Sequence, residues 1–246
     1  MSADFLILGE GYTGTTLRKL LVKTYPQSKI HSTKRQNTKI IFDLEKEDSW
    51  KNLPTAKNIF WTFHAKDKEK AKKLFRLHFR NARVVVISTT SHFLAGDDVE
   101  VTETTPIDLS LPRVQAEEAL REEGATILHA AGIYGPNRNP LDWYQQGRIT
   151  DLNKYLNLIH VDDLSQALIL AAKNGGKSQR FIAADGQPKL WSEIVRRWFK
   201  PEMQDSEEPR TGKQINSRHS LTTLGLHLKY SDMHQGIEAL QRLKRE

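Results

Sequence analysis

Gly9-Glu10-Gly11-Tyr12-Thr13-Gly14 places three glycines at the spacing G-x-G-x-x-G, directly after an apolar run over residues 5–8 and before a helical pattern over 15–22. A strand that ends in a tight turn and opens a helix aims backbone N–H groups, and the positive end of the helix dipole, at one point. The first glycine permits the turn, the second lets backbone approach an anion, and the third lets the helix pack closely on the strand. The anion that suits such a turn is the pyrophosphate of a dinucleotide. Gly9, Gly11, Tyr12, Thr13 and Gly14 are therefore candidate cofactor-binding residues.

About twenty residues further on, an NAD site carries an Asp or Glu at the end of the second strand, where the carboxylate binds ribose hydroxyls. Here the segment 29–37 reads KIHSTKRQN and has no acid. Lys34 and Arg35 stand where a 2′-phosphate would sit, with the hydroxyls of Ser32 and Thr33 beside them. A guanidinium can fork onto phosphate and a hydroxyl can add a hydrogen bond. Thr33, Lys34 and Arg35 thus favour NADP over NAD.

For proton transfer the candidates are His64 and His92, expected at the ends of the fourth and fifth strands, because histidine titrates where a general acid or base must. Nine histidines with no H-x-x-x-H pair and no compact carboxylate cluster predict no metal site. A tyrosine and a lysine four apart occur once, at Tyr25 and Lys29. Pro26 breaks the helix that would align them, and the pair falls away from the carboxyl ends of the strands.

The elements that position these residues follow from periodicity. Strand-like runs over 4–9, 29–33, 39–42, 58–64, 82–90 and 125–133 alternate with helical patterns over 13–23, 47–53, 67–79 and 112–123. That rhythm predicts an α/β fold, a Rossmann-type doubly wound parallel sheet. Consecutive apolar residues in the strands fit a sheet covered on both faces. A turn at Gln36 and Asn37 separates the second and third strands. After a Gly-Pro-Asn loop at 135–140 and a polar stretch to Lys154, Asp162 or Asp163 is expected to cap a helix ending near Lys173. A strand over 180–183, a helix over 190–199, a surface loop over 201–212 and a docking tail with Leu224, Leu228, Ile237 and Leu240 follow. The chain is expected to be one NAD(P)-binding unit over 1–246, with a small carboxy-terminal substrate lobe made by about 137–151 and 175–246.

At 246 residues and 38% hydrophobic, the chain has enough apolar residues for one sizeable core. The absence of cysteine excludes disulfides, thiolate metal sites and a cysteine nucleophile. With no apolar stretch of membrane-spanning length and no basic lead into an apolar segment, the expected location is the cytoplasm, without a membrane partner. The net charge of +7 raises nucleic acid as a partner. The densest basic stretch, residues 66–83, interleaves its charges with Leu74, Phe75, Leu77 and Phe79, which reads as an amphipathic helix with a solvated face. The expected partner is a small-molecule substrate or none, with a homodimer or a protein partner left open.

These motifs together resemble the extended short-chain dehydrogenases/reductases, in particular the small atypical members described as NAD-dependent epimerase/dehydratase-like. The turn 9–14 looks like their cofactor turn, Phe42-Asp43-Leu44 like their adenine-contacting segment, and 87–91 like the strand end bearing a catalytic Ser or Thr. Residues 131–136 resemble their loop after the sixth strand, and 159–164 their later helix entry. The resemblance implies that Asp43 and Leu44 meet adenine, Gly132 and Ile133 the nicotinamide, and Thr90 a substrate oxygen. It also implies a Tyr and a Lys four residues apart on the helix after the fifth strand. The two registers of that helix give Leu109 with Arg113, or Leu111 with Gln115, so the proton donor is missing and Arg113 is left to hold the ribose. Two functions remain. One is an NADP(H)-dependent oxidoreductase or epimerase with a non-standard proton donor on a small substrate. The other is an inactive dinucleotide-binding redox sensor, scaffold or assembly factor.

Overall fold

The computed structural model describes residues 3–204 and 206–243; the two ends of the expected 1–246 unit and Asp205, in the expected loop over 201–212, lie outside the described residues. Six parallel strands form the central sheet: β1 (Ala3–Leu8), β2 (Ile30–Ser32), β3 (Ala56–Trp61), β4 (Arg83–Thr89), β5 (Thr126–Ala130) and β6 (Arg180–Ala183). Their order is β6-β5-β4-β3-β1-β2. The chain leaves β1 for β2 on one side and returns to β3 on the other. A topological switch, where ligands bind outside the carboxyl ends of such strands, therefore falls at β1.

Alternation along β1 shows why its whole run is apolar. Phe5 and Ile7 point into a core shared with Leu17 and Leu21 of α1 (Tyr12–Thr24). Leu6 and Leu8 point to the other side, toward Ala71 and Leu74 of α2 (Lys68–Leu74) and Ala116 and Leu120 of α3 (Pro112–Glu122). Further along the chain come α4 (Pro140–Gln145) and α5 (Val161–Asn174). The last helices are α6 (Trp191–Trp198), α7 (Arg218–Leu224) and α8 (Met233–Leu243). Leu164 and Leu168 of α5 and Leu224 of α7 join the first core, so helices cover both faces as the doubly wound reading requires. Apolar side chains of α4, α6 and α8 gather with Tyr134 and Leu158 in a separate cluster. The segment 175–246 divides, because Arg180–Ala183 belongs to the central sheet while Trp191, Ile194, Met233 and Ile237 belong to that cluster.

Several local expectations are corrected. Residues 39–42 form no strand: a single bridge joins Lys34 to Ile41, and only Lys34 N to Ile40 O and Phe42 N to Lys34 O are hydrogen-bonded there. Phe42 instead turns into the core beside Trp50, so the sheet ends at β2. Asn37 adopts φ 55°, as a tight turn at that point demands. The expected helix over 67–79 starts on an Asp67 cap and changes at Phe75 into a π-helical turn, and in place of the expected helix over 47–53 there is a 3₁₀ helix, Glu47–Asn52. The run 125–133 splits after Ala130, and Gly132–Tyr134 pairs with Leu158–His160. The cap of α5 is neither expected aspartate but His160, whose Nδ1 accepts from Asp162 N at 3.2 Å. Asp163 faces inward and accepts from Lys229 N and Tyr230 N, which docks the tail. The polar stretch before Lys154 contains α4, capped by Asn139.

Candidate functional site

The glycine turn is built as its spacing predicts. Gly9 has φ 95°, a conformation glycine adopts without cost. Gly11 is the N-cap of α1, and a Cβ there would meet nothing within 4 Å. Gly14 packs so closely that a Cβ would come within 2.4 Å of Gly9 O. Two neighbours lock the turn: Thr33 Oγ1 accepts from Gly9 N at 3.1 Å, and Thr62 Oγ1 donates to Leu8 O at 3.0 Å. Thr33 is buried beneath the first cavity, and its hydroxyl oxygen fastens the turn from below. Ser32 is likewise occupied, donating to the Glu10 carboxylate.

Two cavities open at this end of the sheet. One, of about 410 Å³, is lined by Lys34, Arg35, Asp43, Leu44, Phe63 and Glu10 among others. The second, of about 500 Å³, is lined by Tyr12, Thr13, Gly14, Thr89, Gly132 and Ile133, with Arg113 and Arg138. They share Gly11, Thr62 and His64, so they adjoin across the amino terminus of α1. Every expected cofactor residue lines one cavity or the other. The glycine cradle, the open approach to Gly11 and the two flanking cavities fit a dinucleotide lying across the switch point.

The expected proton-transfer residues separate. His64 is exposed and lines both cavities; partial burial, with Arg113 next, holds its imidazole below the usual histidine range. Thr90 is buried and lines neither cavity. The neighbouring hydroxyls Thr89 and Ser91, 3.1 Å apart, line the second cavity instead. β4 ends at Thr89 and a 3₁₀ turn follows, which shifts the exposed hydroxyls by one residue from the expected position. His92 also turns inward: its Nδ1 lies 3.2 Å from Ser88 Oγ and 3.5 Å from Glu117 Oε2. It belongs to a buried polar cluster.

Arg113 anchors that cluster. Its Nε donates to Glu117 Oε1 at 2.6 Å and its Nη2 to Ile87 O at 3.3 Å, while Ser88 Oγ donates to Glu117 Oε2 at 2.6 Å. The Glu117 carboxyl is pushed up by burial, but His92, Arg113 and Ser88 outweigh that and hold it below the ordinary range. Pro112 opens α3, so Leu109 and Leu111 precede the helix and are exposed. Leu109 and Leu111 thus lie outside α3, whereas Arg113 and Gln115 lie within it.

Sequence reasoning missed three residues here. Arg138 lies 4.3 Å over the Tyr12 ring, bringing a cation to the second cavity from the loop after Tyr134. The Tyr12 hydroxyl itself is buried without a partner, and burial pushes it up to about 12. Glu10 brings a carboxylate to the first cavity, and Thr62 follows directly on the end of β3. Glu10 lies inside the glycine motif, but its side-chain partner Ser32 is far along the chain; Thr62 and Arg138 reach the site from other segments.

The long reach of basic residues over 66–83 is offset by acids on other segments. Lys70 pairs with Glu45, Lys73 with Glu47 and Arg76 with Glu123, so this face is a mixed-charge surface. Among the described residues no helix is long and apolar enough to cross a membrane, and no group of three His, Asp or Glu side chains could hold a metal ion.

No protein-family model matches the chain, and no curated protein matches it. Solved structures do. A Methylobacillus flagellatus structure assigned to the NAD-dependent epimerases/dehydratases superposes with a TM-score of 0.77 at 21% identity, covering 99% of each chain. The chain shares the α/β, Rossmann-like fold of that structure. The dTDP-glucose 4,6-dehydratase of Bacillus anthracis, solved with NAD, gives a TM-score of 0.79 at 15% identity over 99% of this chain and 97% of that one. RMD of Pseudomonas aeruginosa, complexed with NADPH, gives 0.74 at 11% identity over 99% and 100%. The shared fold extends over the whole sheet with its switch point at β1. At these identities it fixes the scaffold, while function lives in the side chains set upon it.

Proposed function

We propose that this chain binds NADP(H) in the groove formed by the two cavities and acts on a small substrate as an oxidoreductase or epimerase with a non-standard proton donor. The observation that carries the reading is the meeting of both cavities at Gly11, Thr62 and His64, with the α1 amino terminus between a basic end and a hydroxyl-bearing end. Gly9, Gly11, Tyr12, Thr13 and Gly14 hold the pyrophosphate, and Asp43 and Leu44 wall the adenine. Lys34 and Arg35 meet a 2′-phosphate, while Gly132 and Ile133 back the nicotinamide and Arg113 its ribose. Once bound, a nicotinamide supplies or accepts a hydride.

His64 is the candidate for proton transfer, because it lines the cavity and its lowered pKa leaves a neutral imidazole near neutral pH. Thr89 and Ser91 orient a substrate oxygen. A second reading is supported by a separate observation: Leu109 and Leu111 are exposed ahead of α3, and Arg113 is committed to Glu117. On that reading the chain keeps the cofactor site as a redox sensor, scaffold or assembly factor. NADPH oxidation with a panel of small carbonyl compounds separates the two. Turnover that falls in His64→Ala and Thr89→Ala supports the enzyme; tight NADPH binding without turnover supports the binder. Failure to bind any nicotinamide dinucleotide removes both.

A further inference from the structure

The adenosine-end cavity contains a charge that the glycine turn does not require. Glu10, between the first two glycines, sends its carboxylate to the end of β2, where Ser32 Oγ donates to Oε2. Its own N–H donates to Thr33 O at 2.8 Å, so backbone and side chain are both held against that strand. Lys34 and Arg35 line the same cavity, and among the described residues neither is ion-paired with Glu10.

We propose that Glu10 is a specificity-determining residue that reads the ribose of the bound dinucleotide. Its carboxylate, held by Ser32, accepts from a free 2′-hydroxyl and repels a 2′-phosphate, opposing Lys34 and Arg35 in the choice between NAD(H) and NADP(H). The inference rests on the dinucleotide reading above. NAD sites of this fold carry the ribose-binding carboxylate on β2 itself. Here β2 has none, and the turn after the adjacent strand delivers one to the same place. A carboxylate has about four lone-pair positions; Ser32 occupies one and leaves others for ribose hydroxyls. A 2′-phosphate placed against it meets like-charge repulsion, which a partly desolvated cavity strengthens. Ser32, which could otherwise donate to the phosphate, is occupied by Glu10. The native chain is therefore expected to discriminate less between the two cofactors than Lys34 and Arg35 alone would dictate.

The test is calorimetric titration of the full chain, stripped of ligand, with NADPH and with NADH, for the native protein, Glu10→Gln and Ser32→Ala. Glu10→Gln is expected to tighten NADPH and weaken NADH, moving the ratio of dissociation constants about tenfold at low salt. The shift should shrink as salt rises, as a charge effect must. Ser32→Ala releases the carboxylate and is expected to move the ratio the same way by less; it carries the test if Glu10→Gln does not fold. Equal change for both cofactors, or none, in a native protein that binds them would overturn the proposal, since a residue that only shapes the turn serves both alike. A native protein that binds neither NADPH nor NADH instead removes the dinucleotide reading, and this inference with it.

Discussion

Arg113 Nε donates to Glu117 Oε1 at 2.6 Å, in a pair whose carboxylate side chain is only 3% exposed. Removing the guanidinium by Arg113→Ala leaves that carboxylate buried against Ser88 and His92 without its main cation, a change that costs about 3–5 kcal/mol. The pH dependence follows from the depressed carboxyl. A carboxyl held below its unfolded value adds stability above the ordinary Glu range and loses it as pH falls through the folded value. Denaturant unfolding of the native protein and of Glu117→Gln should therefore converge in acid and separate toward neutral pH. Parallel curves would show that the cluster adds nothing to stability.

Gly11 and Gly14 predict opposite kinds of failure. Gly14→Ala must push a methyl against the Gly9 carbonyl, so melting should fall and drag binding with it. A Cβ at Gly11 enters open space, so Gly11→Val should lose far less melting temperature than Gly14→Ala, only the modest cost of a poorer N-cap. Differential scanning calorimetry of both variants checks this, and a large loss of melting temperature in Gly11→Val would contradict it.

Arg35→Ala should weaken NADPH by about 1.5–3 kcal/mol, the loss of a charge-assisted contact, while leaving NADH nearly untouched. Competition titrations with the two reduced cofactors measure the difference. Equal weakening would mean that Arg35 meets something common to both.

Asp185 gives a stability signal of the other sign. It is 5% exposed, its Oδ2 has no partner, and burial pushes its carboxyl up to about 7. A carboxyl raised in the folded state penalises folding progressively as pH rises from the ordinary Asp range to about 7, after which the penalty is constant. Asp185→Asn should therefore gain on the native protein between pH 4 and pH 7, because its amide oxygen can still accept from Gln187 N without ionising. Unfolding curves for the two proteins that stay parallel over this range would place the titration elsewhere.

The sheet, its glycine turn and the helices on both faces were legible because each is written locally: consecutive apolar residues in β1, three glycines at fixed spacing, and helical periodicity after them. Residues 39–42 misled because Phe42 is apolar for a reason other than a strand, namely packing beside Trp50. Lys34 and Arg35 were legible as a basic pair at the end of the second strand, and they line the first cavity, whereas Glu10 entered the sequence reading only as part of the glycine motif. The placement of its carboxylate depends on Ser32, 22 positions away, across a strand pairing that no local pattern reveals. Thr90 is buried while Thr89 and Ser91 line the cavity, because the exposed hydroxyls are selected by where β4 gives way to a 3₁₀ turn. His92 was expected at the ligand edge, and only Glu117 on a later helix explains why it turns inward.

The central claim is that the groove across the amino terminus of α1 takes a nicotinamide dinucleotide. Calorimetric titration of NADPH into the stripped native chain and into Gly11→Val tests it most directly, because that substitution blocks the approach to the pyrophosphate without disturbing packing. The account predicts saturable one-to-one binding to the native protein and its loss in a Gly11→Val protein that is still folded. Unchanged affinity in Gly11→Val, or no binding to the native chain, would contradict it.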